Sequence, residues 1–113
     1  GDANVLQLEA FERVDHPLLY QISYNSESKN QYVVVRPEAI AIHDIHADIP
    51  EERVKIQAVI KDVTFAGNKT IVQTEVNDQI ISVHSIGQES KNLLRAGNTV
   101  LLSWSRNQFK ILH

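Results

Sequence analysis

The alternation of apolar and polar residues divides most of the chain into short strands. In residues 18–24 every second residue is apolar, and residues 4–14 begin with the same alternation. Residues 15–17, Asp-His-Pro, separate the two segments and are typical of a turn. The N-terminal part is therefore predicted to form a β-hairpin, and the polar residues 25–30 are predicted to form a loop.

A proline-centred corner interrupts the next apolar segment. The sequence VVVRPEAIAI at residues 33–42 reads as a buried strand, a break and a second strand. Pro37 has no amide hydrogen and pushes Arg36 towards extended geometry, so it fits a bend and not a central strand. Arg36 and Glu38 could fix the exit angle through an ion pair or a hydrogen bond. Alternatively they are two solvated charges, each contributing under about 1 kcal/mol.

The longest alternation changes phase part-way along. From Val54 to Ile60 the apolar residues share one face, but after Lys61 they are Val63 and Phe65, on the opposite face. Such a change within one strand predicts a β-bulge, which lets a strand serve two sides of a small barrel.

Regular turn signals follow this bent strand. Residues 66–69, Ala-Gly-Asn-Lys, predict a hairpin in which Gly67 and Asn68 can take positive φ, and Asn77-Asp78 predicts a second turn. The remaining predicted elements are strands at 70–76 and 79–86, about two turns of helix within 87–97 that Gly97 ends, and strands at 99–104 and 108–112.

This order of elements predicts an all-β fold. Residues 54–112 match a five-stranded OB-fold-type barrel with one short helix, and residues 1–43 add an N-terminal hairpin and strand segment. An SH3-like barrel is the structural alternative. A chain of 113 residues is long enough to bury a core as one domain, residues 1–113.

Composition excludes several classes of function. Eleven Lys and Arg against fourteen Asp and Glu give a net charge of −3, which disfavours a nucleic-acid partner. The chain has no Cys, so neither a disulfide framework nor a zinc finger is available. Its apolar runs are too short for a membrane span or a signal peptide.

No catalytic, metal or cofactor site is predicted. Residues 43–46, His-Asp-Ile-His, together with Asp48 lack a third convergent metal ligand. His84 has Ser82 and Ser85 nearby, but nothing orients it as a base. The Gly-x-x-x-x-Gly-Lys-Ser/Thr loop that cradles ATP phosphates is also missing, so these residues are not expected to hydrolyse ATP.

Several segments together resemble one family, the transport-associated OB (TOBE) domain. GDANVLQLEAF at residues 1–11 is similar to the junction after the nucleotide-binding domain of an ABC importer ATPase, and VVVRPEAIAI is similar to the Arg-Pro-Glu signature of the segment that follows. Phe65-Ala66-Gly67 and residues 97–104 resemble the Phe-x-Gly and Gly-x-x-Val-x-Leu-x-Trp motifs. Ala58 stands where the family often has Gly, and Ser105-Arg106 replaces the usual proline and acid.

The resemblance implies a regulatory role and not an enzyme activity of its own. It implies the C-terminal regulatory and dimerisation domain of an importer's ATP-binding subunit, for a solute such as a polyamine, iron(III), sulfate, phosphonate or sugar. ATP and Mg²⁺ would be bound by the preceding nucleotide-binding domain. The implied partners are that domain, a second copy of the chain and the permease subunits, at the cytoplasmic face of the membrane.

Two sets of candidate residues follow. The family motifs give structural or interface candidates: Arg36, Pro37, Glu38, Phe65, Gly67, Gly97 and Trp104. Most aromatic residues are expected to fill the core, but Phe65 and Trp104 could anchor a protein contact. The alternative function is binding of a small oxyanion, for which the loop cations are candidates: Lys69, Lys91 and Arg95.

Overall fold

The computed structural model describes residues 2–86 and 92–112, except for the side chain of Ile86. The strands among these residues are β1 (Asn4–Gln7), β2 (Tyr32–Val35), β3 (Ala41–His43), β4 (Arg53–Ala66), β5 (Lys69–Val76), β6 (Gln79–Ile86), β7 (Thr99–Ser105) and β8 (Phe109–Leu112). The helical segments are α1 (Leu8–Glu12) and two 3₁₀ helices, Pro17–Gln21 and Pro37–Ala39. None of these described helices has the length or apolarity needed to cross a bilayer.

The described strands form two antiparallel sheets. The larger sheet has the order β3-β7-β4-β5-β6, and the smaller one has the order β1-β2-β8. The two edge strands of the larger sheet, β3 and β6, also contact each other, so this sheet curls around the core. Apolar residues of both sheets and of α1 share that core, which includes Leu6, Phe11, Val33, Ile60 and Trp104. The prediction of a mainly β structure is confirmed.

The predicted bulge lies in β4. Its pairing with β5 shifts register between Ile60 and Asp62, and the apolar face changes there, with Val63 partly buried against the core. The turn that precedes β7 docks at this point: the N–H of Gly97 donates to Ile60 O at 2.7 Å, and Ile60 N–H donates to Asn98 O at 2.9 Å. Gly97 has a φ of +93°, where a side chain would be strained. Gly97 therefore has a structural role at the bulge.

Both predicted hairpin turns are present. Gly67 takes a φ of +67°, whereas Asn68 does not have positive φ, which is the pattern of a turn with glycine at its first central position. Asn77 and Asp78 have φ values of 51° and 62°. Two consecutive residues with positive φ match the type I′ turn, whose twist suits a hairpin.

The predicted N-terminal hairpin is wrong in its second strand. Residues 18–24 begin inside the 3₁₀ helix Pro17–Gln21, and the second part of residues 4–14 contains α1. Pro17 favours a helical start, and the N–H of Leu18 donates to the ring Nδ1 of His16 at 3.0 Å. This helix also carries Gln21 to the edge of β4. These local and tertiary contacts outweigh the alternating pattern.

The predicted division of the chain also needs correction. β3 lies in the predicted N-terminal segment 1–43 but pairs with β7 in the larger sheet, and β8 leaves the predicted barrel to pair with β2. Residues 54–112 therefore do not form a barrel by themselves. Of the helix predicted within 87–97, residues 87–91 lie outside the described residues, and residues 92–97 contain turns instead of helix.

Side-chain amides join β1 to β6 where the two sheets meet. Asn4 Nδ2 donates to Ser82 O at 2.9 Å, and Ser82 N–H donates to Asn4 Oδ1 at 2.8 Å. In the second pair the side chain belongs to β6 and the backbone to β1. Gln7 N–H donates to Gln79 Oε1 at 2.8 Å, and Gln79 Nε2 donates to Gln7 O at 3.3 Å. Each amide satisfies one donor and one acceptor of an edge strand, so it acts as a short substitute for backbone pairing.

Candidate functional site: the Arg-Pro-Glu corner

The Arg-Pro-Glu segment forms a tight bend between the two sheets, as predicted. β2 ends at Val35, and Arg36 stays extended, with φ −76° and ψ 143°. Pro37 then begins the 3₁₀ turn, in which the N–H of Ala39 donates to Arg36 O at 3.0 Å. Pro37 is buried, whereas Arg36 and Glu38 are exposed. The proline therefore fixes the corner, and both charges are directed to solvent.

The strand register brings a second cation to the corner. Val34 lies opposite Lys110, and Val35 lies opposite Phe109. Val35 is in the core, so Val34 and Lys110 lie on the outer face of the smaller sheet. Arg36 continues the extended alternation and shares this face. Its diagonal relation to Lys110 corresponds to about 7–8 Å between side-chain bases, within reach of both long side chains.

A cavity of about 510 Å³ opens at this corner. One wall is the end of the outer face of the smaller sheet, and the turns on either side of it complete the rim. The lining residues are Ala3, Val34, Arg36, Glu38, Ala39, Asn107, Gln108, Phe109 and Lys110. The site thus combines two cations, one carboxylate, two amides and several apolar groups.

The charged groups of this corner cavity are not neutralised by neighbouring side chains. In the part of the chain that the structure describes, the side chains of Arg36, Glu38 and Lys110 have no hydrogen-bond or ion-pair partner. The sequence-based alternative of an ion pair that fixes the exit angle is therefore not observed among these residues. Asn107 accepts from Ser105 Oγ at 2.6 Å, which leaves its amide nitrogen able to donate.

Apolar residues continue the outer face beyond the corner cavity. Val5 lies opposite Val34 and is 55% exposed, and Leu112 lies opposite Tyr32 and is 50% exposed. Together with Val34 and Tyr32, these residues define the outer sheet face. An apolar face beside unpaired charges is the composition expected of a contact surface with a polar rim.

The two aromatic contact candidates differ in position. Trp104 is fully buried, and its ring meets Phe109 edge to face at 6.5 Å between ring centres. It is therefore a core residue and not a contact anchor. Phe65 lies at the end of β4 next to the Gly67 turn and is 71% exposed, so it remains available for a contact. Tyr20, expected in the core, is 75% exposed, and its hydroxyl donates to Asp15.

The predicted oxyanion candidates do not converge. Lys69 lies opposite Ala66, whereas the turn that holds Arg95 is bound to Ile60, six residues earlier in β4. At about 3.3 Å per strand residue, this separates them by roughly 20 Å, more than the two side chains can bridge. Lys91 lies outside the described residues. The cations that do come together are Arg36 and Lys110.

The histidine-containing segments are accounted for by local contacts. His43 Nε2 lies 2.7 Å from Ser103 Oγ, and the N–H of His46 donates to the Asp44 carboxylate at 2.8 Å. Within residues 2–86 and 92–112, no three His, Asp or Glu side chains gather as a metal site would require. Burial lowers the pKa of His16, which favours the neutral ring that accepts from Leu18 N–H.

Lys110 and the amides of Asn107 and Gln108 were missed by the sequence analysis. They are far from Arg36 in sequence, and only the β2–β8 pairing brings them to the corner. The alternation in residues 108–112 already placed Lys110 on the face opposite Phe109. The sequence did not show which strand pairs with this last strand.

Comparison with known proteins identifies the family. Residues 33–110 match the TOBE domain. The chain belongs to the TOBE domain family. The match includes the Arg-Pro-Glu corner, every strand of the larger sheet and parts of β2 and β8, and it confirms the resemblance that the sequence motifs indicated. No protein of curated function matches the chain in sequence.

A solved structure shows the same fold for this TOBE domain. ModG, a cytoplasmic molybdate-binding protein crystallised with molybdate bound, superposes with a TM-score of 0.63 at 12% sequence identity. The alignment covers 72% of this chain and 60% of ModG, so the TOBE domain described here spans about three fifths of ModG's length. The prediction of an OB-fold-type β domain is thereby confirmed.

Proposed function

We propose that this TOBE domain is the C-terminal regulatory and dimerisation domain of the ATP-binding subunit of an ABC-type importer. Membership of the TOBE family supports this role, as does the similarity of residues 1–11 to the junction that follows a nucleotide-binding domain. The transported solute would be small, such as a polyamine, iron(III), sulfate, a phosphonate or a sugar.

One observation carries the proposal. The family signature places Arg36 and Glu38 outward around the buried Pro37, without partners among the described residues, and next to the outer sheet face. Unpaired charges beside an apolar face suit the polar rim of a contact surface. We therefore assign this surface to contact with a second copy of the chain.

The size of the surface limits the proposed contact. Three strands of four residues present an area of roughly 14 by 13 Å, well below the roughly 800 Å² per partner that a stable interface buries. The contact must therefore extend over the corner and its neighbouring turns. The proposed interface would therefore include Arg36 and Glu38.

The remaining partners belong to the same proposal. The preceding nucleotide-binding domain would bind ATP and Mg²⁺ and perform hydrolysis, and the permease subunits would hold the complex at the cytoplasmic face of the membrane. This TOBE domain would contribute no catalytic group. Its role would be to keep two ATPase subunits together during the nucleotide cycle.

The reading frame that encodes this chain provides the test. We expect codons upstream of Gly1 to encode Gly-x-x-x-x-Gly-Lys-Ser/Thr, the loop that cradles ATP phosphates. A frame that starts close to Gly1, or that encodes a different upstream domain, would contradict the proposal.

A second candidate function, small-ligand binding, is supported by the convergence of Arg36 and Lys110 on the corner cavity. ModG, which shares the fold, is a molybdate-binding protein. The test is the melting temperature of this TOBE domain in the presence of molybdate, sulfate and small carboxylates. A ligand at about a hundred times its dissociation constant would add roughly 2.7 kcal/mol of stability. No shift with any of these anions would exclude this function.

A further inference from the structure

We propose that the corner cavity binds a small organic molecule with one carboxylate and an apolar body. This inference deepens the small-ligand function proposed above and rests on it. It assigns the carboxylate to Arg36 and Lys110, and the apolar body to the wall formed by Val34, Ala3 and Ala39.

The polar end of the cavity is built for one anionic group. Arg36 and Lys110 project from neighbouring strands on the same face, with a diagonal spacing of about 7–8 Å at their bases. Neither side chain has another partner in the described ranges. A planar guanidinium can bind both oxygens of a carboxylate, and the ammonium of Lys110 can reach the same group from the side.

The opposite wall is apolar. Val34 lies opposite Lys110 on the outer face and is half-buried, and Ala39 also lines the cavity. Ala3 continues β1 across from Arg36, since Asn4 pairs with Val35. A side chain this small leaves room for a ligand above the sheet. Apolar walls with a few polar groups at one end are the usual composition of an organic ligand site.

The volume of the cavity favours an organic ligand over an inorganic oxyanion. About 510 Å³ lies within the range of small-molecule pockets, roughly 300–1,000 Å³. A tetrahedral oxyanion would fill only the polar end and leave the wall of Val34, Ala3 and Ala39 in water. Burial of this wall by a ligand's body contributes favourably in proportion to the apolar area removed from water.

Glu38 restricts the charge that the ligand can carry. Its exposed carboxylate stands on the rim with the two cations, so the lining has two positive side chains and one negative. A monoanion is attracted to this arrangement, whereas a second carboxylate on the ligand would meet Glu38. Neutralising Glu38 should therefore tighten the binding of a monocarboxylate.

The test uses two-dimensional NMR titration of the chain with phenylacetate, and with its neutral isostere phenylacetamide. We expect phenylacetate to shift the amide signals of Val34, Phe109 and Lys110 saturably, and phenylacetamide to bind at least about tenfold more weakly, because a hydrogen bond between charged groups is lost. Molybdate and sulfate form the third arm of the titration.

Variants locate the site within the chain. Arg36→Gln and Lys110→Gln should each weaken phenylacetate binding by roughly tenfold or more, and Glu38→Gln should strengthen it. Lys69→Gln is the matched control, since Lys69 is a half-buried cation that does not line the cavity. The affinity of this variant for phenylacetate should equal that of the wild type. Unchanged chemical-shift dispersion in each variant shows that the fold is intact.

The outcomes separate the two levels of the proposal. Saturable shifts with molybdate or sulfate that are stronger than those with phenylacetate would overturn the organic-ligand inference and leave small-ligand binding in place. Absence of any saturable shift across all the anions would overturn both. Equal binding of phenylacetate and phenylacetamide, or equal losses in Arg36→Gln and Lys69→Gln, would show that the two corner cations do not hold the carboxylate.

Discussion

Replacement of Asn4 by Ala should destabilise the domain far more than a surface substitution in the same strand. Asn4 is 7% exposed and makes two hydrogen bonds to the backbone of Ser82, at 2.9 and 2.8 Å. These bonds connect β1 of the smaller sheet to the edge of β6 in the larger sheet. Alanine would remove both bonds and leave the Ser82 N–H and C=O without their partners.

The expected loss follows from the two hydrogen bonds. Each contributes about 0.5–1.5 kcal/mol net, so Asn4→Ala should lower the free energy of unfolding by about 1–3 kcal/mol. For a domain of this size that corresponds to a fall in melting temperature of several degrees, at roughly 4–8 °C per kcal/mol. Local opening should be concentrated where β1 meets β6.

Urea unfolding followed by circular dichroism measures this change, and hydrogen exchange locates it. Gln7→Ala is the matched control, because Gln7 is exposed in the same strand and binds Gln79 through its backbone, which alanine retains. The control should change stability by less than about 0.5 kcal/mol. If the two variants lose the same stability, or if exchange at Ser82 stays at the wild-type rate in Asn4→Ala, the amide connection does not hold the sheets together.

Three further substitutions test other parts of the structure. Gly97→Ala should cost roughly 1–3 kcal/mol in urea unfolding, because alanine is strained at a φ of +93° although space is available; an unchanged midpoint would show that the turn relaxes. His16 has a lowered pKa in the folded state, so its stabilising contribution is complete above its ordinary value of 6.5 and falls as the pH decreases below it; the pH dependence should be weaker in His16→Gln, and an identical dependence would exclude this role. Phe65→Ala should leave thermal stability within about 0.5 kcal/mol, whereas Trp104→Ala should cost about 3–5 kcal/mol, and similar losses in both would contradict the opposite exposures of the two rings.

The sequence was most informative where local geometry determines the structure. The phase change after Ile60 predicted the bulge because side-chain alternation depends only on the strand itself. Asn77-Asp78 and Gly67 predicted their turns because positive φ is restricted to a few residue types. Pro37 predicted the corner for a similar reason, since its ring fixes φ and removes a donor.

The sequence was least informative where distant segments determine the structure. Residues 18–24 alternate like a strand, but the side-chain amide of Gln21 binds both the N–H and the C=O of Lys55, at 2.7 and 2.8 Å. No local pattern indicates that contact. The candidate site was incomplete for the same reason, because Lys110 reaches Arg36 only through the pairing of β8 with β2.

The most direct test of the central claim, that the Arg-Pro-Glu corner contacts a second copy, is the molar mass of the longer ATPase that would contain this TOBE domain. Light scattering with and without ATP should give a dimer for the wild type and for the control Lys69→Ala. The double variant Arg36→Ala/Glu38→Ala should dissociate into monomers at higher protein concentrations than the wild type does. A wild-type protein that is monomeric under both conditions, or a dimer that the corner variant leaves unchanged, would contradict the claim.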